Sequence, residues 1–135
     1  MDFHEKFNDS YERCQKHDDF FDIFYDNFFK KDQKFRQMFE GVDMVNQIRM
    51  IKVSIVMILL ASTSESARET IRMYGRRHGP EGINVHPIDF DIWFDCLINA
   101  VSLCDPLFND QVKQAWRACF NEGIAIMKEE CQTES

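Results

Sequence analysis

The residue of this sequence best placed to do chemistry is His78, which follows Arg76-Arg77 and precedes Gly79-Pro80-Glu81-Gly82. That context closes a helix and turns the chain, so an imidazole there is aimed by the bend after it. A neutral imidazole is a good ligand for iron, and adjacent arginines can neutralise the carboxylates of a bound group. A histidine in this position also favours the negative end of a helix dipole without binding anything. No second histidine lies four residues away and no carboxylate–histidine pattern surrounds it, which argues against a zinc hydrolase. His4 and His17 lie on polar ground, and His86, beside Pro87, is the rival ligand. Two more polar residues stand in apolar company. Tyr25 sits in Phe24-Tyr25-Asp26-Asn27-Phe28-Phe29, with Phe35 and Phe39 following at helical intervals. Its hydroxyl either meets a carbonyl in a core or donates to a polar ligand in a cavity. Gln47 lies one turn before Ile51 on a mostly apolar helix, and the same two readings apply.

These side chains need helices to carry them. Phe3, Phe7, Tyr11 and Cys14 share one face at helical spacing. A second helix begins near Asp18-Asp19 and carries Phe20, Phe21, Phe24, Phe28 and Phe29, and Phe35, Met38 and Phe39 form a short turn after it. Gly41 interrupts, and Asp43 is suited to cap a helix from Met44 to Leu60. Ser62-Thr63-Ser64 breaks the pattern, and Ser66-Ala67-Arg68-Glu69 has capping-box spacing, which predicts a helix from Ala67 to His78. Pro87 suits the first turn of a helix over 88–103, with Phe90, Trp93, Phe94 and Leu97 as its apolar side. Asp105-Pro106 or Asn109 opens a last helix that runs through Trp116 and Ile124 towards Lys128. No stretch alternates apolar and polar residues over strand length. The expected fold is all-α, with seven helices and short connections.

The 135 residues point to one domain, 1–135, large enough for a real core. Thirteen phenylalanines, concentrated between Phe3 and Phe39, call for a large apolar wall or a large apolar partner, or else pack on one another as most Phe-rich helices do. The net charge of −7 argues against a nucleic-acid footprint. Five cysteines, odd in number and without a Cys-x-x-Cys pair, fit reduced thiols in a cytoplasmic protein and give no support to a zinc ribbon or a covalent haem attachment. No signal peptide is visible at the start, and the most apolar run, Val53 to Ala61, is too short to span a bilayer.

Taken together, the order and spacing of these residues resemble a bacterial single-domain globin, related to the globin domain of flavohaemoglobins. The resemblance covers nearly the whole chain. It is carried by Phe24-Tyr25 followed by Phe39; by Gln47-Ile48-Arg49-Met50-Ile51; by Arg77-His78, the bend, and Val85-His86-Pro87-Ile88-Asp89-Phe90; and by Ala115-Trp116. The combination is specific, although no single piece is. A register two residues along would put Arg49 and Val53 in place of Gln47 and Ile51. Gln47 is preferred because it donates without bringing a full charge into the pocket.

The resemblance implies a globin fold, a 3-on-3 helical sandwich of helices A, B, C, E, F, G and H, holding one haem b. It implies His78 as proximal iron ligand, with Tyr25 and Gln47 on the distal side and Ile51 closing it. Phe39, Tyr74, Val85, Phe90 and Trp93 would line the haem. Arg77 would meet a propionate, with His86 and Arg49 as weaker candidates. The implied ligand is a diatomic gas (O2, NO or CO), bound at a five- or six-coordinate iron by a monomer or homodimer. Flavohaemoglobins carry a fused reductase, whereas this chain ends at Ser135 without a flavin or nicotinamide motif. They also have a tyrosine at the place of Phe90, used with a glutamate to support the proximal histidine; here Glu129 and Glu130 stand near the expected place. A less basic histidine disfavours O–O cleavage. Reversible binding is therefore expected ahead of enzymatic turnover. The alternatives are NO dioxygenation with a separate reductase, or sensing through a partner protein.

Overall fold

In the computed structural model the described residues are 3–61, 63–77 and 85–131. They form seven α-helices and, among the described residues, no strand. The helices are α1 (Phe3–Gln15), α2 (Phe20–Lys31), α3 (Gln33–Met38), α4 (Met44–Leu60), α5 (Glu65–Arg77), α6 (Pro87–Cys104) and α7 (Asp110–Cys131). Among the described residues no helix is long and apolar enough to cross a membrane.

Local chemistry explains where most of these helices begin. Asp32 caps α3, its side chain accepting from the Lys34 N–H. Asp43 caps α4 as expected, accepting from the N–H groups of Val45 and Asn46. Pro87 opens α6, where its missing N–H is of no consequence. The preceding His86 donates its backbone N–H to the Asp89 carboxylate at 3.0 Å, while its carbonyl accepts from the Asp89 N–H at 2.9 Å. Gly41, at φ 78°, supplies the left-handed turn between α3 and α4.

One expectation about a helix start needs correction. The cap of α5 is Ser64 rather than Ser66: its Oγ accepts from the Ala67 N–H at 3.1 Å and its carbonyl from the Arg68 N–H at 3.0 Å. Ser66 is therefore already helical. Glu69, expected to turn back onto a cap, pairs instead with Arg72 at 2.8 Å and Arg76 at 3.6 Å. Of the two possible openings for α7, Asn109 is the one used, its side chain accepting from the Val112 N–H at 2.9 Å. Asp105 is buried instead. Phe3, expected on the buried face of α1, is 45% exposed.

The chain divides into two compact units, residues 1–40 with 92–119 and residues 41–91 with 120–135. The core of the first is aromatic. Phe7 meets Trp116 edge-on at 4.6 Å between ring centres, Phe28 stacks on Phe35 at 4.2 Å, and Phe24 meets Trp93 at 5.6 Å. Leu97 and Val101 of α6 are fully buried. The second unit is aliphatic at its centre. Ile51, Ile55 and Ile58 form the buried face of α4, and Ala67, Ile71 and Gly75 that of α5. These two helices pack on each other. Gly123 lets α7 approach α4 so closely that a Cβ there would lie 2.8 Å from Cγ2 of Ile58.

Candidate functional site

In the first unit, α2 presents an almost unbroken aromatic face: Phe20, Phe21, Phe24, Tyr25 and Phe28 are all buried. Tyr25 is 4% exposed. Its ring lies 4.8 Å from Phe24, 5.8 Å from Phe29 and 5.7 Å from Phe39 between centres. Phe39 ends α3 and returns to α2, lying 5.3 Å from Phe29 and 6.5 Å from Phe28. The structure thus brings Tyr25 and Phe39 together. Phe29, Phe39 and Trp93 remain half-buried, with part of each ring uncovered. The result is a phenylalanine wall containing one sheltered ring that also carries a hydroxyl. A flat apolar group fits such a wall, and the hydroxyl offers one directional contact to anything polar beside it.

In the second unit, Gln47 and Ile51 lie one turn apart on α4, Gln47 half-buried and Ile51 buried, in line with Ile55 and Ile58. Arg49 and Val53, the other register, lie on the exposed side, Val53 being 47% exposed. Tyr74 is half-buried in the last turn of α5. Arg77 is exposed, with Nη2 3.8 Å from Sδ of Met73. Val85 is half-buried, Phe90 is buried, and the side chain of His86 is exposed. Glu129 is exposed, whereas Glu130 accepts from Arg76 Nη1 at 3.4 Å. His78 lies outside the described residues. Among the described residues no three His, Cys, Asp or Glu side chains stand close enough together to hold a metal ion by themselves.

A polar cluster in the first unit went unread in the sequence. Asp105, 3% exposed, accepts from Ser10 Oγ at 2.6 Å, from Arg13 through Nε and through Nη2 at 3.0 Å, and from the Leu107 N–H at 2.9 Å. The indole of Trp116 donates to Ser10 Oγ at 2.9 Å. Burial alone would raise the carboxyl pKa of Asp105, but the hydrogen bonds from Arg13, Ser10 and the Leu107 N–H outweigh it and hold the group below its ordinary value. The available sign was Ser10 itself, which falls one turn after Phe7 on the apolar face of α1. All five thiols are buried and none is in a disulfide. Burial pushes Cys14 up to about 12 and also raises Cys96, Cys104 and Cys131, so these four stay protonated at neutral pH.

Compared with known proteins, the chain is similar to a protein of Pseudomonas aeruginosa PAO1 whose crystal structure is described as structurally highly homologous to a human hemoglobin. The two share 26% sequence identity and a TM-score of 0.90 over 98% of this chain and 100% of that one. No family model and no curated protein matches the sequence.

Proposed function

We propose that the chain works as a globin of the bacterial single-domain kind, binding one haem b through His78 and reversibly holding a diatomic gas. The observation that carries this reading is the sheltered hydroxyl-bearing ring of Tyr25 in a wall of phenylalanines. That wall fits one face of a flat macrocycle, and the half-buried rings of Phe39 and Trp93 supply apolar surface for it. A single imidazole holds iron firmly only where the remaining nitrogen ligands come ready-made, as a porphyrin provides them. When bound, haem would supply an iron able to bind a diatomic gas reversibly.

The chain's own residues divide the remaining work. His78 would hold the iron through its imidazole. Tyr25 and Gln47 donate hydrogen bonds to a polar ligand, and Ile51 limits its size. The half-buried placement of Gln47 beside buried Ile51 supports this register over Arg49 and Val53, which face solvent. Tyr74, Val85 and Phe90 add apolar lining, and Arg77, exposed at the end of α5, meets a propionate. One feature supports reversible binding over turnover: Phe90 has no hydroxyl with which to orient the axial imidazole, so the phenol that would raise its basicity is missing at that position.

Absorption spectra of the purified chain in the ferric, ferrous and CO-bound states test this. They are expected to show a Soret band and a CO complex typical of histidine ligation. Changing His78 to Ala should release the haem or leave it loosely held, and free imidazole should restore it. A His78→Ala protein with an unchanged axial-ligand spectrum would overturn the assignment. Sustained NO consumption with NADH and a separate reductase, beyond one turnover per haem, would favour the dioxygenase role. Ligand-dependent association with a partner protein would favour sensing.

A further inference from the structure

We propose that the outer face of α4 is a docking surface for an acidic amphipathic helix of another protein. This helix is apolar on two sides. Ile51, Ile55 and Ile58 form the side buried within the chain. At about 100° per residue, Val45, Val53, Val56 and Leu60 fall within about 80° of one another on the opposite side. Val45 is 72% exposed, Val53 and Val56 are each 47% exposed, and Leu60 is 44% exposed. From Val45 to Leu60 the stripe runs about 22 Å, or four turns. A helix that is apolar all round is normally covered all round. Scattered exposed valines need no explanation, but a continuous row of them marks an interaction surface.

Charge chooses the occupant. The helix carries Arg49 and Lys52 and no carboxylate. Arg49 falls at the centre of the stripe, exposed and without a hydrogen bond or ion pair among the described residues, and Lys52 borders it. A second copy of this chain is a poor match. Two α4 helices crossing antiparallel would press each Arg49 against apolar residues, leaving a buried charge unpaired. An anionic lipid surface would confront a whole face of a molecule whose net charge is −7. A single helix meets only the stripe, and charges more than about 8 Å away are largely screened at physiological ionic strength. A partner helix with an apolar side flanked by carboxylates satisfies both requirements. Its apolar residues cover the valines and Leu60, and a carboxylate pairs with Arg49.

The experiment uses the full chain and two synthetic helical peptides about four turns long. Each has leucines spaced three and four apart; one carries glutamates beside them, the other lysines. Binding is read by fluorescence anisotropy of the labelled peptide. The glutamate peptide should bind in the micromolar range and the lysine peptide at least tenfold more weakly. Changing Val53 and Val56 together to Ser should weaken the glutamate peptide about tenfold. Arg49→Glu should weaken it by a similar factor and strengthen the lysine peptide, a gain that misfolding cannot produce. No measurable binding of the glutamate peptide, or an Arg49→Glu protein with unchanged preference, would overturn the proposal. Two further results would reassign the face to a different occupant and so overturn it as well. One is tighter binding to phosphatidylglycerol vesicles than to the peptide, lost in the double Ser variant. The other is sedimentation of the wild-type chain as a dimer that the same variant dissociates.

Discussion

At the scale of single residues, the chain separates polar groups by how much of their surroundings they can use. Tyr25 lies among Phe24, Phe29 and Phe39, where a hydroxyl interacts more strongly with a nearby dipole than it would in water. Dioxygen bound at a haem is more polar than carbon monoxide. A Tyr25→Phe protein should therefore release oxygen faster by about tenfold to a hundredfold, the value of one sheltered hydrogen bond, while CO release changes little. Stopped-flow dissociation kinetics check this, and equal effects on the two gases would exclude Tyr25 as the donor. Tyr25 and Phe39 were legible because the Phe-Tyr pair followed by a Phe fourteen residues on is part of the globin resemblance. The Ser10–Asp105 pair was not legible, because its partners are 95 positions apart and the place of Ser10 on an apolar face does not name its partner.

At the scale of elements, the helices follow from caps and apolar spacing, and the errors came from competition between equivalent capping signals. Ser64 and Ser66 are both able to start α5. Glu65 accepts from Arg68 at 2.9 Å and from Arg72 at 2.9 Å, bonds that require Glu65 to be already in the helix and leave Ser64 as the cap. Ser64→Ala should accordingly cost about 1 kcal/mol, and Ser66→Ala much less, by urea unfolding. A larger loss at Ser66 would restore the capping-box reading. The same competition decided between Asp105 and Asn109. Asp105 makes four hydrogen bonds away from α7, so the α7 cap falls to Asn109.

At the scale of the whole molecule, stability on acidification should depend on Asp105. Its carboxyl is held below the ordinary value, so its contribution is complete above the unfolded pKa of about 4 and is lost as pH falls through the lower, folded value. Melting temperature should fall on acidification below that range. Asp105→Asn should be less stable at neutral pH by about 2–4 kcal/mol, because it leaves the Arg13 guanidinium without its charge partner. The variant should also show a shallower acid limb. Identical pH profiles for the two proteins would remove Asp105 from this role.

The amino-acid sequence by itself determined the seven helices, the aromatic face of α2 and α3 and the apolar face of α4. All of these depend on spacings of a few residues, which a helix converts directly into shared faces. Only the tertiary structure decided which polar groups go inside and where helices touch backbone to backbone. Ser10 meets Asp105 across 95 positions, Gly75 meets Glu130 across 55, and Gly123 meets Ile58 across 65. Burial of a charge and omission of a side chain are each unfavourable when viewed locally. They become favourable only when a distant segment supplies the hydrogen bonds or fills the space.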